Sequence, residues 1–226
     1  MTIELEPLWL TLKLAFVTTL ILLVLAIPLA WWLAYKKNNL KTVVEAIVSL
    51  PLVLPPSVIG FYLLLAFSPS NAFGKMLEHY FDVRLAFSFP GLVIASVIYS
   101  LPFMIHPVHA GFRSLSPSLR EASYSLGKTK WQTLFHVLLP NIKTSLLSGL
   151  VLTFAHTIGE FGVVLMIGGN IPGQTKVASI AIYDEVETMN YYAANMYAII
   201  LFSIAFIILL TLYLVNRRFD KIKFYD

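Results

Sequence analysis

The apolar residues of this chain fall in long blocks separated by short polar stretches. A helix needs about 20 mostly apolar residues to cross the hydrocarbon core of a bilayer. Five blocks reach that length, approximately Leu14–Ala34, Ile47–Phe67, Phe89–Val108, Leu146–Ile167 and Ala193–Val215. Each predicts a transmembrane helix, and together they predict an all-α integral membrane protein. Nothing divides the chain: residues 1–226 read as a single transmembrane domain without repeats or low-complexity segments. The one long polar interval lies between the third and fourth blocks, from Gly111 to Lys143.

That interval has helical signals of its own. Pro117 suits a first helical turn, and Ser118-Leu119-Arg120-Glu121 fits a capping box. Leu115, Leu119, Ala122 and Leu126 recur at helical spacing, and Gly127 stands where a left-handed C-terminal cap is expected. Thr129 suits the N-cap of a second helix with Trp131, Leu134, Phe135 and Leu138 on one face, ending at Pro140. The reading is two short amphipathic helices, able to lie on the membrane, pack on the spans or dock into another protein.

Composition and charge sharpen the picture. Only 12% of the 226 residues are charged and 58% are hydrophobic, against about a quarter charged in soluble domains. The net charge of +4 does not indicate nucleic acid, because Lys and Arg are distributed by membrane side. Lys36, Lys37, Lys41, Arg113, Arg120, Lys128, Lys130, Lys143, Arg217, Arg218, Lys221 and Lys223 fall in three segments on one side, and Lys13, Lys75, Arg84 and Lys176 on the other. Positive charge near spans is retained in the cytoplasm. The twelve-to-four split therefore puts the N-terminus outside and the long loop and C-terminus inside. An odd number of spans requires opposite ends, so the two arguments agree. Glu4 and Glu6 replace the basic start of a signal peptide, and the first block reads as a retained span. There is no cysteine, hence no disulfide or thiolate site.

Prolines interrupt the blocks at Pro28, Pro51, Pro55, Pro56, Pro102 and Pro107. Each removes an N–H and crowds the preceding turn. The run Leu50–Pro56, which includes Pro55 and Pro56, predicts either a kink that shapes packing or a broken helix beside a pathway. Glu160 is the one acid deep in a block, and His156 lies one turn earlier, within reach of pairing. A structural hydrogen bond and a role on the pathway are both open for them. His106 and His109 read as interfacial rather than metal-binding, since no further ligands cluster near them. Trp31 and Trp32 beside Lys36 and Lys37 read as interface anchors. Gly168–Thr175 nearly spells a phosphate-binding loop, but Gln174 stands where the lysine is required. No ATP site, other cofactor, metal site or catalytic constellation is expected in this chain.

Glu121-Ala122-Ser123, then Gly127, then Val137-Leu138-Leu139-Pro140 resembles the EAA loop of binding-protein-dependent ABC importer permeases. Both spacings of that pattern are kept, with Ser123 in place of Ala and Val137 in place of Ile. The runs Leu50–Pro56, Gly159–Gly162 and Asn170–Thr175 resemble the molybdate branch, with sulfate permeases similar near Gly159. The resemblance implies the type I ABC importer permease fold, with a coupling loop over about 112–143. In that loop Glu121, Ala122, Leu126, Gly127, Trp131 and Pro140 would meet an ATPase. It further implies a homodimer, two cytoplasmic ATPase subunits that bind the ATP, and an external substrate-binding protein, in a bacterial cytoplasmic membrane.

Energetics agree with an ATP-driven importer. Bringing a dianion into a negative interior costs about 2.3 kcal/mol per charge per 100 mV, or roughly 5 kcal/mol. A passive channel cannot concentrate such a substrate, and proton coupling would normally leave a chain of intramembrane acids. An intramembrane enzyme would need catalytic groups at matched depth, which are missing. The topology is testable by reporter fusions: those after Val215 and near Glu121 are expected to report cytoplasmic, and one near Asp184 external. A cytoplasmic signal near Asp184 overturns the orientation.

Overall fold

The computed structural model of the chain describes residues 4–36 and 38–222, with side chains through residue 216. Lys37, Lys223 and the side chains of Arg217, Arg218 and Lys221, all used in the charge argument, lie outside the described residues. Among the described residues all regular structure is helical. Three helices are continuous, apolar and long enough to span: α1 (Glu6–Tyr35), α5 (Phe89–Ser114) and α12 (Tyr191–Ile222). The second block is divided between α2 (Asn39–Val53) and α3 (Pro56–Phe67), which meet at a bend of 113°. A short helix, α4 (Ala72–Phe81), follows. The polar interval forms α6 (Pro117–Ser125), α7 (Lys130–Thr133), a π-helical turn (Leu134–Leu138) and α8 (Leu139–Asn141). A 79° bend at Ile142 then leads into α9 (Lys143–Ile158). The fourth block, expected as one helix over Leu146–Ile167, is split into α9 and α10 (Gly162–Gly168), and α11 (Ala178–Glu187) precedes α12. At most five crossings result, if each bent pair counts as one.

Most of the prolines do not interrupt their helices. Pro28 stays inside α1, Pro51 inside α2, and Pro102 and Pro107 inside α5. A single proline removes one hydrogen bond, and packing holds the rest. Pro55-Pro56 removes two in succession and forces the residues before each ring into extended backbone. Leu54 and Pro55 both have ψ 138°, and there the helix breaks.

Beside a small cluster of Leu8, Ala178, Ala181 and Tyr197, the interior has two larger apolar clusters stacked along α1. One joins Leu10 and Leu14 to Leu92, Val163, Ile167 and Ile180. The other joins Leu22, Ala26, Ala30 and Leu33 to Met104, Val108, Phe112, Leu134 and Leu138. Between them in sequence lie buried polar residues, Thr18 and Thr19 on α1 and Ser96 and Ser100 on α5, and α9 adds the buried Thr153 and Thr157. α5 is central, with 56% of its apolar window buried, whereas α12 has only 6% buried. Phe202, Phe206, Ile207 and Leu210 of α12 therefore present apolar surface that suits lipid or another subunit. α5 and α9 approach closely at Gly149, where a Cβ would lie 3.1 Å from the Met104 carbonyl oxygen.

At the end of the bundle where α1 begins, the buried Thr11 hydroxyl donates to the Pro7 carbonyl (2.7 Å) and accepts from the Ala178 N–H (2.8 Å), which anchors the start of α11. Thr18 is equally buried, but its hydroxyl has no hydrogen-bond partner among the described residues. Stranding a buried donor costs about 1–3 kcal/mol, whereas replacing an unpaired hydroxyl by a methyl is close to neutral. Thr11→Val is therefore expected to lower the thermal unfolding midpoint in detergent. Thr18→Val is expected to leave it unchanged or raise it.

Candidate functional site

The two helix breaks meet. α3 begins at Pro56 and α10 at Gly162, and a Cβ built on Gly162 would lie 2.9 Å from Pro56 Cβ, so glycine permits the contact. A cavity of about 540 Å³ opens there, its walls including Pro56, Ser57, Tyr99, His156, Glu160 and Phe161. Of the sequence candidates, Pro56, His156 and Glu160 come together, while Pro55 precedes α3 as its N-cap residue and sets the break.

His156 and Glu160 do not pair. α9 ends at Ile158 and Gly159 turns the chain (φ −88°, ψ 0°), so Glu160 leaves the helical face that would have stacked it on His156. The His156 Nδ1 lies 3.0 Å from the Ser100 hydroxyl, which in turn lies 3.0 Å from the Thr157 hydroxyl. The ring is stacked on Phe103 (centroids 3.8 Å apart, planes at 24°) and tilted against Tyr99 at 5.0 Å. Glu160 is 4% exposed, and neither carboxylate oxygen has a hydrogen-bond partner among the described residues. The buried Ser96 hydroxyl lies beside it without hydrogen-bonding geometry. Its carbonyl is held by the Ser179 hydroxyl of α11 at 2.6 Å. Tyr99, Ser100 and Phe103 were missed as site residues. The signal was present, because Ser96, Tyr99, Ser100 and Phe103 follow helical spacing on one face of the third block.

The loop is a second candidate. α6 starts after Ser116, with Pro117 in its first turn, and Ser118 lies inside the helix. The capping box expected of Ser118 and Glu121 is therefore absent: the Ser118 hydroxyl meets that of Ser116 at 2.7 Å, and Glu121 is exposed in the middle of the helix. Gly127 has φ +75°, and the Gly127 and Lys128 N–H groups donate to the Tyr124 and Ser123 carbonyls. These two bonds make a Schellman turn. Thr129 caps α7, and Gln132 completes a capping box. The helix does not stop at Pro140. The proline lacks an N–H and crowds the His136 carbonyl, and the coil widens into the π turn, where the Leu139 N–H reaches the Leu134 carbonyl. That widening splits the expected apolar face. Leu134 and Leu138 are buried in the core, whereas Trp131 and Phe135 stack on each other at 6.0 Å and stay exposed.

Leu126 is 80% exposed, and Glu121 and Ala122 of α6 are exposed as well. Ser123, which departs from the EAA pattern, is buried, and its hydroxyl lies 2.9 Å from that of Thr133, joining α6 to the second helix.

The remaining candidates resolve as local structure. His106 lies 3.3 Å from the Ser49 hydroxyl and His109 3.7 Å from Glu45, which link α5 to α2. No group of three or more metal-ligating side chains occurs among the described residues. The near-phosphate loop follows α10 as a tight turn. Asp184 accepts from Asn170 and pairs with Lys176 at 2.7 Å, and that direct bond raises the Lys176 ammonium above its ordinary value.

Residues 26–221 match the family described as the binding-protein-dependent transport system inner membrane component. The chain is 44% identical over 218 residues to the molybdenum transport system permease protein ModB of Azotobacter vinelandii, covering 96% of this chain and 95% of that protein. It is 31% identical over 211 residues to the sulfate transport system permease protein CysT of Escherichia coli (strain K12), covering 93% and 76%. A crystal structure of a bacterial alginate ABC transporter in complex with an alginate pentasaccharide-bound periplasmic protein superposes with a TM-score of 0.76 at 23% identity, over 96% of this chain and 79% of that one. The chain belongs to the family of binding-protein-dependent transport system inner membrane components, and its fold is the ABC importer permease fold that the loop pattern implied.

A Cβ at Gly127 would meet nothing within 4 Å, so only its backbone conformation demands glycine. Left-handed backbone costs an ordinary residue about 1–2 kcal/mol, and asparagine tolerates it best. In a transport assay Gly127→Val is expected to lose uptake with the chain still in the membrane, and Gly127→Asn to retain most of it.

Proposed function

We propose that this chain is the membrane-spanning subunit of an ATP-driven importer of molybdate, working as a homodimer with two cytoplasmic ATPase subunits and an external binding protein. The observation that carries the substrate is the 44% identity to a molybdenum permease across nearly the full length of both chains. The second reading, sulfate or another tetrahedral oxyanion, rests on the 31% relative, of which 76% is matched.

Two features support the mechanism. The cavity between the two breaks, bordered by Pro56, His156 and Glu160 and opened by the break at Pro55, is the pathway element, and the positive end of α3 opens on it, which favours an anion. The exposed residues of the loop, Glu121, Ala122, Leu126 and Trp131, are the ATPase contact, and Gly127 and Pro140 shape it. Moving an outward–inward equilibrium from 1:99 to 99:1 takes about 5.5 kcal/mol of differential binding, which ATP binding supplies through this loop. In the five-span topology, the loop and the end of α12 face the cytoplasm, and α4 and α11 lie outside.

Reconstitution with the partner ATPase and binding protein tests both substrate and coupling. Labelled molybdate is expected to accumulate only with ATP, and excess sulfate to compete weakly. Uptake without ATP overturns the coupled mechanism, and displacement by equimolar sulfate overturns the molybdate assignment.

A further inference from the structure

We propose that the cleft between the end of α1 and the loop helix α6 binds the phosphate headgroup of an anionic phospholipid. The cleft has a volume of about 270 Å³. Trp31, Trp32 and Tyr35 from the last turns of α1, with Tyr124 from α6, supply its aromatic wall. Lys36, Arg120 and Lys130 supply three cations, and Glu121 is the one carboxylate on the lining.

The geometry is built rather than incidental. The Arg120 guanidinium lies 4.5 Å over the Tyr35 ring, and the Tyr35 hydroxyl donates to the Phe112 carbonyl at 3.2 Å, so stacking holds the guanidinium. Trp31 is in turn packed at 6.0 Å against Trp131 of the second loop helix. Among the described residues none of Lys36, Arg120 and Lys130 is in an ion pair, and Glu121 is in none either. Two net positive charges therefore face an open cleft without a counter-ion from the protein.

Its position selects the ligand. α1 is apolar from Leu14 to Ala30 and ends in Trp31, Trp32 and Tyr35 with Lys36 at its C-cap, the composition of the zone where hydrocarbon gives way to headgroups. A phosphodiester offers oxygens to a guanidinium fork and to two ammonium groups, while its glycerol and acyl carbons suit the indole and phenol faces. A free oxyanion, including a transported one, would use the cations and leave the aromatic wall without a role. The proposal uses the membrane placement of α1 and is independent of which substrate is carried.

The full chain, purified in neutral detergent with whatever subunits accompany it, is mixed with phosphatidylglycerol, phosphatidylcholine or inorganic phosphate. Native mass spectrometry and thermal unfolding are then measured. Phosphatidylglycerol is expected to form an adduct and raise the unfolding midpoint, with little effect from the other two at equal concentration. Each of Lys36→Gln, Arg120→Gln and Lys130→Gln is expected to weaken that binding roughly fivefold. Lys128→Gln, on the same loop outside the cleft, is expected to leave it unchanged. Arg120→Lys, which keeps the charge, controls for folding and is expected to weaken binding less than Arg120→Gln. Equal effects of the two lipids, an equal shift with inorganic phosphate, or undiminished phosphatidylglycerol binding by all three glutamine variants would each overturn the proposal.

Discussion

The contact of Pro56 on Gly162 holds two broken helices against each other, and the arrangement of the bundle's middle depends on it. A helix that breaks inside a bilayer frees backbone groups that lipid cannot satisfy, so breaks are tolerated only against protein or a hydrated cavity. Here each break shelters the other. The double proline ends α2, the glycine pair around Glu160 ends α9, and the cavity lies between them. The same constraint accounts for the buried hydroxyls that separate the two larger apolar clusters. Ser100 and Thr157 form a chain with His156, while Ser96 lies beside the unpaired Glu160 carboxylate. Polar groups at this depth are expensive, and two of them, His156 and Glu160, line the cavity itself.

The loop is built for stiffness. The Schellman turn at Gly127, the capping box at Thr129 and the buried bond between Ser123 and Thr133 tie α6 and the second helix into one unit. Leu134 and Leu138 anchor that unit in the core beneath Met104 and Phe112, leaving Leu126 and Trp131 exposed. From its end the chain turns at Ile142 directly into α9, whose sixteen residues extend about 24 Å at 1.5 Å per residue. That rod ends at Gly159, beside the cavity. The exposed loop and the break in the fourth block are thus the two ends of one covalent path.

Much of this was legible beforehand, for identifiable reasons. Long apolar blocks announce helices because hydrocarbon leaves the backbone no other partner, and α1, α5 and α12 came out as continuous helices around theirs. Gly127 was legible because a positive φ leaves a residue-type signature, and Thr129 because a cap does. Ser118 and Glu121 carried an equally good capping pattern that failed, because Pro117 fixes the start of α6 one residue after Ser116. Single prolines were overread: packing carries a helix past one missing hydrogen bond, as at Pro28 and Pro102, but not past two in succession.

By itself, then, the amino-acid sequence determined the apolar blocks, the charge asymmetry between their ends and the local turns of the loop, all of which depend on residues close together in the chain. Tertiary structure alone decided that His156 turns to Ser100 rather than to Glu160, that the two breaks face each other, and that Ser123 finds Thr133. It also decided that Trp131 and Phe135 stay outside while Leu134 and Leu138 go in. Those outcomes rest on which side chains other helices bring to the same depth. In a bundle whose spans are apolar on every side, no periodicity along one helix says which face its neighbour will take.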